Sequence, residues 1–134
     1  MTAIVCIEDR GGILFLKRRV GRDTYVYDDI ERDHSKILLT SYSLPLFEGR
    51  KLDTGVCVSP LSSGKAGDVC FIENGEIKEH LDKISRLIIY HWNRKYPSDV
   101  KLGFLPTEVG FNLASVTEFV GHAHDKITKE VYTK

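Results

Sequence analysis

The stretch that decides how this chain folds runs Asp23-Thr24-Tyr25-Val26-Tyr27-Asp28-Asp29-Ile30-Glu31-Arg32-Asp33, followed closely by Lys36-Ile37-Leu38-Leu39-Thr40-Ser41. Asp23 is a capping residue type standing just ahead of apolar side chains at helical spacing. Val26, Tyr27 and Ile30 share one face of the predicted helix, while Asp28, Asp29 and Arg32 decorate the other. The apolar run after it predicts a strand. On the other side, Ala3-Ile4-Val5-Cys6-Ile7 predicts another, so strand, helix and strand alternate from the start.

The pattern continues outward. Gly55 to Ser59, Asp68 to Ile72 and Arg86 to Trp92 predict three more strands, and Gly75 to Ile84 predicts a second helix with Ile77, Leu81 and Ile84 on one stripe. Such alternation implies right-handed crossovers onto a mostly parallel α/β sheet, with four of the five strands short enough to be buried on both faces. The end of the chain reads differently. Phe111 to Phe119 and Ile127 to Tyr132 are extended runs joined by Val120-Gly121-His122-Ala123-His124-Asp125-Lys126, which predicts a terminal antiparallel hairpin.

At 134 residues and 42% hydrophobic content, residues 1 to 134 suffice for one core and one domain. Nineteen Lys plus Arg balance nineteen Asp plus Glu, so no global field favours nucleic acid. The five-residue apolar run before Glu8 is too short for a signal-peptide core or a membrane span, which gives a cytoplasmic expectation and no membrane partner. Cys6, Cys57 and Cys70 form no C-x-x-C pair and read as buried free thiols.

Several short motifs carry weak chemistry. Gly11-Gly12 and Gly21 lack the spacing of a dinucleotide fingerprint. Lys17, Arg18, Arg19 and Arg22 make a basic loop that reads first as solvated and second as a hold for a phosphate or carboxylate. His122-Ala123-His124-Asp125 resembles a fragment of the metallo-β-lactamase ligand set, but Lys126 replaces the next histidine, so no metal is expected. His91-Trp92-Asn93-Arg94, Gly121-His122 and Tyr132 follow the order of the tyrosine recombinases, whose DNA strand transfer would need a helical domain and upstream basic residues that this chain lacks.

Taken in order, the elements resemble dihydrofolate reductase over nearly the full chain. Ile4 to Asp9 with Gly11 to Ile13 is similar to that family's first strand and mobile loop, Gly49-Arg50-Lys51 to its G-R-[KN] stretch, and Arg86 to Tyr90 to the strand bearing its active-site threonine. The resemblance implies a central, mostly parallel sheet flanked by few helices. It implies Asp23 as the active-site carboxylate, receiving two parallel N–H bonds from a pterin, and Ile7, Tyr27, Arg50 and Tyr90 as substrate contacts. Ser59, Asn74 and Gly75 would stand against NADP, the hydride donor. Three departures bear on that cofactor. Thr40 to Ser43 replaces the phosphate-binding glycine and arginine, Glu73-Asn74-Gly75 replaces the paired glycines, and Tyr90 replaces the threonine.

Two readings follow. The first is a reductase passing a hydride from NADPH to a pterin or related heterocycle. The second is a protein on the same scaffold that has lost NADPH and binds a small molecule or partner without redox chemistry. Simple capping of the helix is the competing explanation of Asp23, recognisable if its side chain meets the first amides of the helix.

Overall fold

The computed structural model describes residues Met1–Lys134. The first strand, β1 (Thr2–Ile7), leads into a small hairpin of β2 (Gly12–Phe15) and β3 (Arg18–Arg19), then helix α1 (Thr24–Asp33) and β4 (Lys36–Leu39). Next come β5 (Asp53–Val56), the one-turn α2 (Pro60–Ser63), β6 (Val69–Phe71) and β7 (Arg86–His91). The chain closes with β8 (Val100–Lys101), β9 (Asn112–Phe119) and β10 (Ile127–Thr133). No helix is long and apolar enough to cross a membrane.

Seven strands form one sheet in the order β5-β4-β6-β1-β7-β10-β9. The first five are mutually parallel, and β10 and β9 add antiparallel at one edge. The five predicted strands, the first helix and the terminal hairpin are therefore present. β1 lies at the centre and alternates faces as a strand must. Ala3, Val5 and Ile7 join Leu61, Ile77, Leu87 and Ile89 on one side. Ile4 packs on the other with Val26, Tyr27 and Ile30 of α1 and with Ile88 and Tyr90. Full burial of such a branched side chain contributes about 2 kcal/mol, so the two faces fix the strand register.

Four expectations are corrected. β5 is an edge strand with partly exposed side chains, so it is not buried on both faces. The segment Gly75 to Ile84 is not an α-helix but tight 3₁₀ turns over Glu76–Lys83 broken at His80. Ile77 and Ile84 are buried and Leu81 packs partly against the same core, but the non-helical backbone at His80 breaks the stripe into separate turns. Of the thiols, Cys70 alone is fully buried, while Cys6 and Cys57 are intermediate. The fourth concerns the basic loop, which carries the β2–β3 hairpin; β8 joins β2 to make a second, three-stranded sheet.

Candidate functional site

In parallel sheets a ligand crevice forms outside the carboxyl ends of neighbouring strands whose connections leave toward opposite faces. β1 departs toward α1 and β6 toward the 76–83 segment, on the other face, so the crevice belongs between Cys6-Ile7 and Ile72-Glu73. Side chains occupy it. Arg19 Nε donates to Glu73 Oε2 at 2.8 Å and Arg19 Nη2 to Glu73 Oε1 at 3.0 Å, a bidentate pair. Ser43 Oγ donates to Glu73 Oε1 at 2.7 Å. The Arg19 guanidinium also lies over the Tyr42 ring, 4.4 Å from its centroid. Burial pushes the Cys6 thiol well up, with the Glu73 and Asp23 charges adding to it.

Asp23 caps α1 and does more. It is 1% exposed. Its Oδ1 accepts from the amides of Tyr25 at 3.0 Å and His122 at 2.8 Å, and its Oδ2 from the Ala123 amide and His124 Nδ1, both at 2.9 Å. Burial alone would raise its pKa, but the His122, His124, Ala123 and Tyr25 donors outweigh burial and hold the carboxyl below its ordinary value. The network places a proton on His124 Nδ1, and the other ring nitrogen meets Tyr96 Oη at 2.8 Å while the ring stacks on Trp92. Gly121 is required beside it, because an added Cβ would lie 2.6 Å from Asp23 Oδ2 and 2.8 Å from the His124 carbonyl oxygen. Asp23 thus ties the start of α1 to the β9–β10 loop, and four donors fill its acceptor positions.

The other expected substrate residues do not surround a common hollow with it. Tyr27 is buried edge-to-face against Phe47 and Phe71, and burial raises its hydroxyl pKa. Arg50 is taken by α1: it pairs with Asp28, stands 3.6 Å from Glu31 Oε2, and donates to the Thr24 carbonyl. Tyr90 donates to Asp29 Oδ2 at 2.6 Å. Lys129 Nζ reaches that oxygen at 2.8 Å and Asp33 at 2.6 Å, and Arg32 meets Asp29 Oδ1. Ile7 faces away, into the core on the opposite side of the sheet.

Asp29 is the residue that pattern reading missed. Assigned to the polar face, it is instead buried, because Tyr90 and Lys129 satisfy it from two strands. Its position three residues after Val26 and one before Ile30 was the available signal.

Ser59, Asn74 and Gly75, expected at the cofactor, converge on Glu76 instead. Ser59 Oγ donates to Glu76 Oε2 at 3.1 Å, Asn74 Oδ1 accepts from the Glu76 amide at 3.0 Å, and Gly75 precedes it with room for a side chain. No group of His, Cys, Asp and Glu side chains could hold a metal ion. The recombinase pattern also dissolves in the fold, since His91 ends a central strand and pairs with Glu130, with no helical domain around it.

The largest cleft, about 590 Å³, opens on the opposite face of the sheet from α1, beside Ile7, Glu8 and His91. Its volume suits a small ligand.

No family model matches the chain. No curated protein matches it in sequence. Among solved structures, a dihydrofolate reductase from Enterococcus faecalis, in complex with NADP(H) and RAB-propyl, is similar at a TM-score of 0.66 and 11% identity. The similarity covers 98% of this chain and 94% of that one. At that identity the likeness speaks for architecture alone. Together with the strand order it shows a dihydrofolate reductase-like α/β fold: a mostly parallel sheet, few helices and an antiparallel C-terminal pair.

Proposed function

We propose that this chain is a binding protein on a dihydrofolate reductase-like fold, one that holds a small-molecule ligand without passing a hydride. The observation that carries the reading is the Arg19–Glu73 pair at the carboxyl ends of β1 and β6. Both side chains are at most 20% exposed, and Ser43 fixes the carboxylate from a third direction. A dinucleotide passing there would have to break the pair and approach Glu73, a carboxylate, with its own negative pyrophosphate. Separating a pair this covered costs about 3 kcal/mol, or more than about 10²-fold in affinity. The residues present therefore do not fit NADP.

Asp23 supports the same reading. A pterin needs two free acceptor positions on one carboxylate, and four internal donors occupy those of Asp23. Arg50, which would grip a substrate carboxylate, already answers Asp28 and Glu31.

A reductase remains the second reading, favoured by the full-length likeness to an NADP(H) complex. Incubating the whole chain with NADPH and dihydrofolate separates the two. The binding reading expects no loss of NADPH absorbance and no thermal shift from NADPH at millimolar concentration. Dihydrofolate-dependent NADPH oxidation by the chain would overturn it in favour of the reductase.

A further inference from the structure

The β1–β2 turn carries a carboxylate with an unfinished hydrogen-bond set. Glu8 follows β1 directly, and its side chain is fully buried. The Oε2 atom accepts from the Gly12 amide at 2.7 Å and from Ser98 Oγ at 3.0 Å. Its position is fixed tightly enough that a Cβ on Gly12 would stand 2.4 Å from that oxygen and 2.1 Å from Ser98 Oγ. The other oxygen, Oε1, has no hydrogen-bond partner, and no other buried side-chain nitrogen or oxygen in the chain shares that condition. Its nearest cation is Arg10 Nε, 3.6 Å away on a half-exposed side chain. The amides of Arg10 and Tyr96 also turn toward the carboxylate and help to stabilise its charge. Burial alone would raise the Glu8 pKa, yet these dipoles, with Gly12 and Ser98, hold it below the ordinary value, so the group is ionised at neutral pH.

Glu8 borders the 590 Å³ cleft, its carboxylate covered from solvent. The floor is apolar: Ile7 and Ile89 rise from the sheet, and Leu102 and Phe104 come down from the loop after β8. That loop is pinned to the turn through the Leu102 amide, which donates to the Gly11 carbonyl at 2.9 Å. Charge around the wall is unequal, with Glu8, Asp9, Glu108 and Glu130 against Arg10 and Lys101. His91 on the floor pairs with Glu130, leaving Glu8 as the buried carboxylate with a free acceptor position. An ionised carboxylate in a partly apolar hollow attracts a cation with N–H donors, and an apolar floor favours a flat body behind that cation.

We propose that this cleft is a binding site for a small organic cation, an amidinium or primary ammonium on a flat apolar body, whose N–H group completes the hydrogen bonding of Glu8 Oε1. Arg10 is the internal stand-in that the ligand displaces. The site lies across the sheet from α1 and shares only Ile7 with the Arg19–Glu73 crevice. It rests on the binding reading in one respect only, that the ligand is held and not reduced.

Benzamidine is the probe, with benzoate and benzyl alcohol as its anionic and neutral counterparts, titrated into the full isotope-labelled chain and followed by amide chemical shifts. Benzamidine is expected to bind at millimolar concentration or below, moving the amides of Gly11, Gly103 and Phe104, while the counterparts leave them in place. Glu8→Gln removes the charge and should weaken binding about tenfold or more. Because that variant also disturbs Gly12 and Ser98, Arg10→Ala serves as the second: it removes the competing guanidinium and should tighten binding severalfold. Equal binding of benzoate, shifts mapping elsewhere, no shift at all, or weaker binding in Arg10→Ala would each overturn the site. Dihydrofolate-dependent NADPH oxidation, by contrast, would overturn the non-redox reading and leave the benzamidine result standing.

Discussion

Replacing Asp23 with asparagine distinguishes a structural clasp from a catalytic carboxylate. The amide group of asparagine puts a donor where one carboxylate oxygen stood. Whichever way it turns, two of the four donors lose their acceptor: Tyr25 and His122 amides on one side, or the Ala123 amide and His124 Nδ1 on the other. Hydrogen bonds to a charged group contribute about 1.5 kcal/mol or more each, and facing donors add to the loss, so the cost is about 4 kcal/mol. That is a large share of the ~5–15 kcal/mol that holds a domain together, and for a chain of this length corresponds to a melting temperature lower by about 15 °C. The pH dependence has a definite sign. Asp23 has a depressed folded pKa, so its contribution is present above the unfolded value of about 4 and is lost as pH falls through the folded value. The gap between wild type and variant should therefore be widest at neutral pH and narrow below about pH 4. Urea denaturation at both pH values measures it. If the variant unfolds within about 1 kcal/mol of wild type at pH 7, the clasp contributes little and the energetic reasoning fails.

Other substitutions probe neighbouring parts of the same framework. Gly121→Ala drives a methyl group to within 2.6 Å of Asp23 Oδ2 and should cost about 2 kcal/mol by calorimetry; an unchanged melting temperature would mean that the loop moves freely. Lys129→Met leaves Asp29 with the exposed Arg32 as its remaining cation and should cost about 3 kcal/mol, more than Tyr90→Phe at about 1.5 kcal/mol, and the reverse order in urea melts would refute the assignment. Burial pushes the Cys70 thiol up to about 12, so a thiol reagent at pH 8 should label Cys70 only after denaturant is added, as mass spectrometry of the native and unfolded chain would show.

The sheet was legible because its signal is local. Ile37 and Leu39, or Leu87 and Ile89, carry burial in their own few residues, and the parallel arrangement follows from a helix or turn standing between such runs. The small second sheet was not legible. Leu14 pairs with Val100, and two-residue strands such as β3 and β8 hold too little pattern to announce a partner that distant in sequence. The same limit governed the site. Asp23 advertises a helix start, but three of its four donors come from His122, Ala123 and His124, about a hundred residues on, and no spacing rule links them. Arg19 and Glu73 each read as a charge in a loop, and only the meeting of β3 with the end of β6 turns them into a bidentate pair.

A ligand site on a protein scaffold commonly leaves polar atoms without internal partners, because the ligand is their partner. Around α1 the acidic side chains do the opposite. Asp23 answers the hairpin loop, Asp28 and Glu31 answer Arg50, Asp29 answers Tyr90 and Lys129, and Glu73 across the crevice answers Arg19. Opening that crevice to a charged heterocycle would unmake the Arg19–Glu73 pair, and a covered charge left alone costs more than the pair contributed. The one buried acceptor that the chain leaves unanswered is Glu8 Oε1, just past the end of the same central strand and beside the cleft. The distribution of satisfied and unsatisfied groups thus favours binding beside Glu8 over chemistry beside Asp23, on a scaffold that keeps its strand order while its charges turn inward.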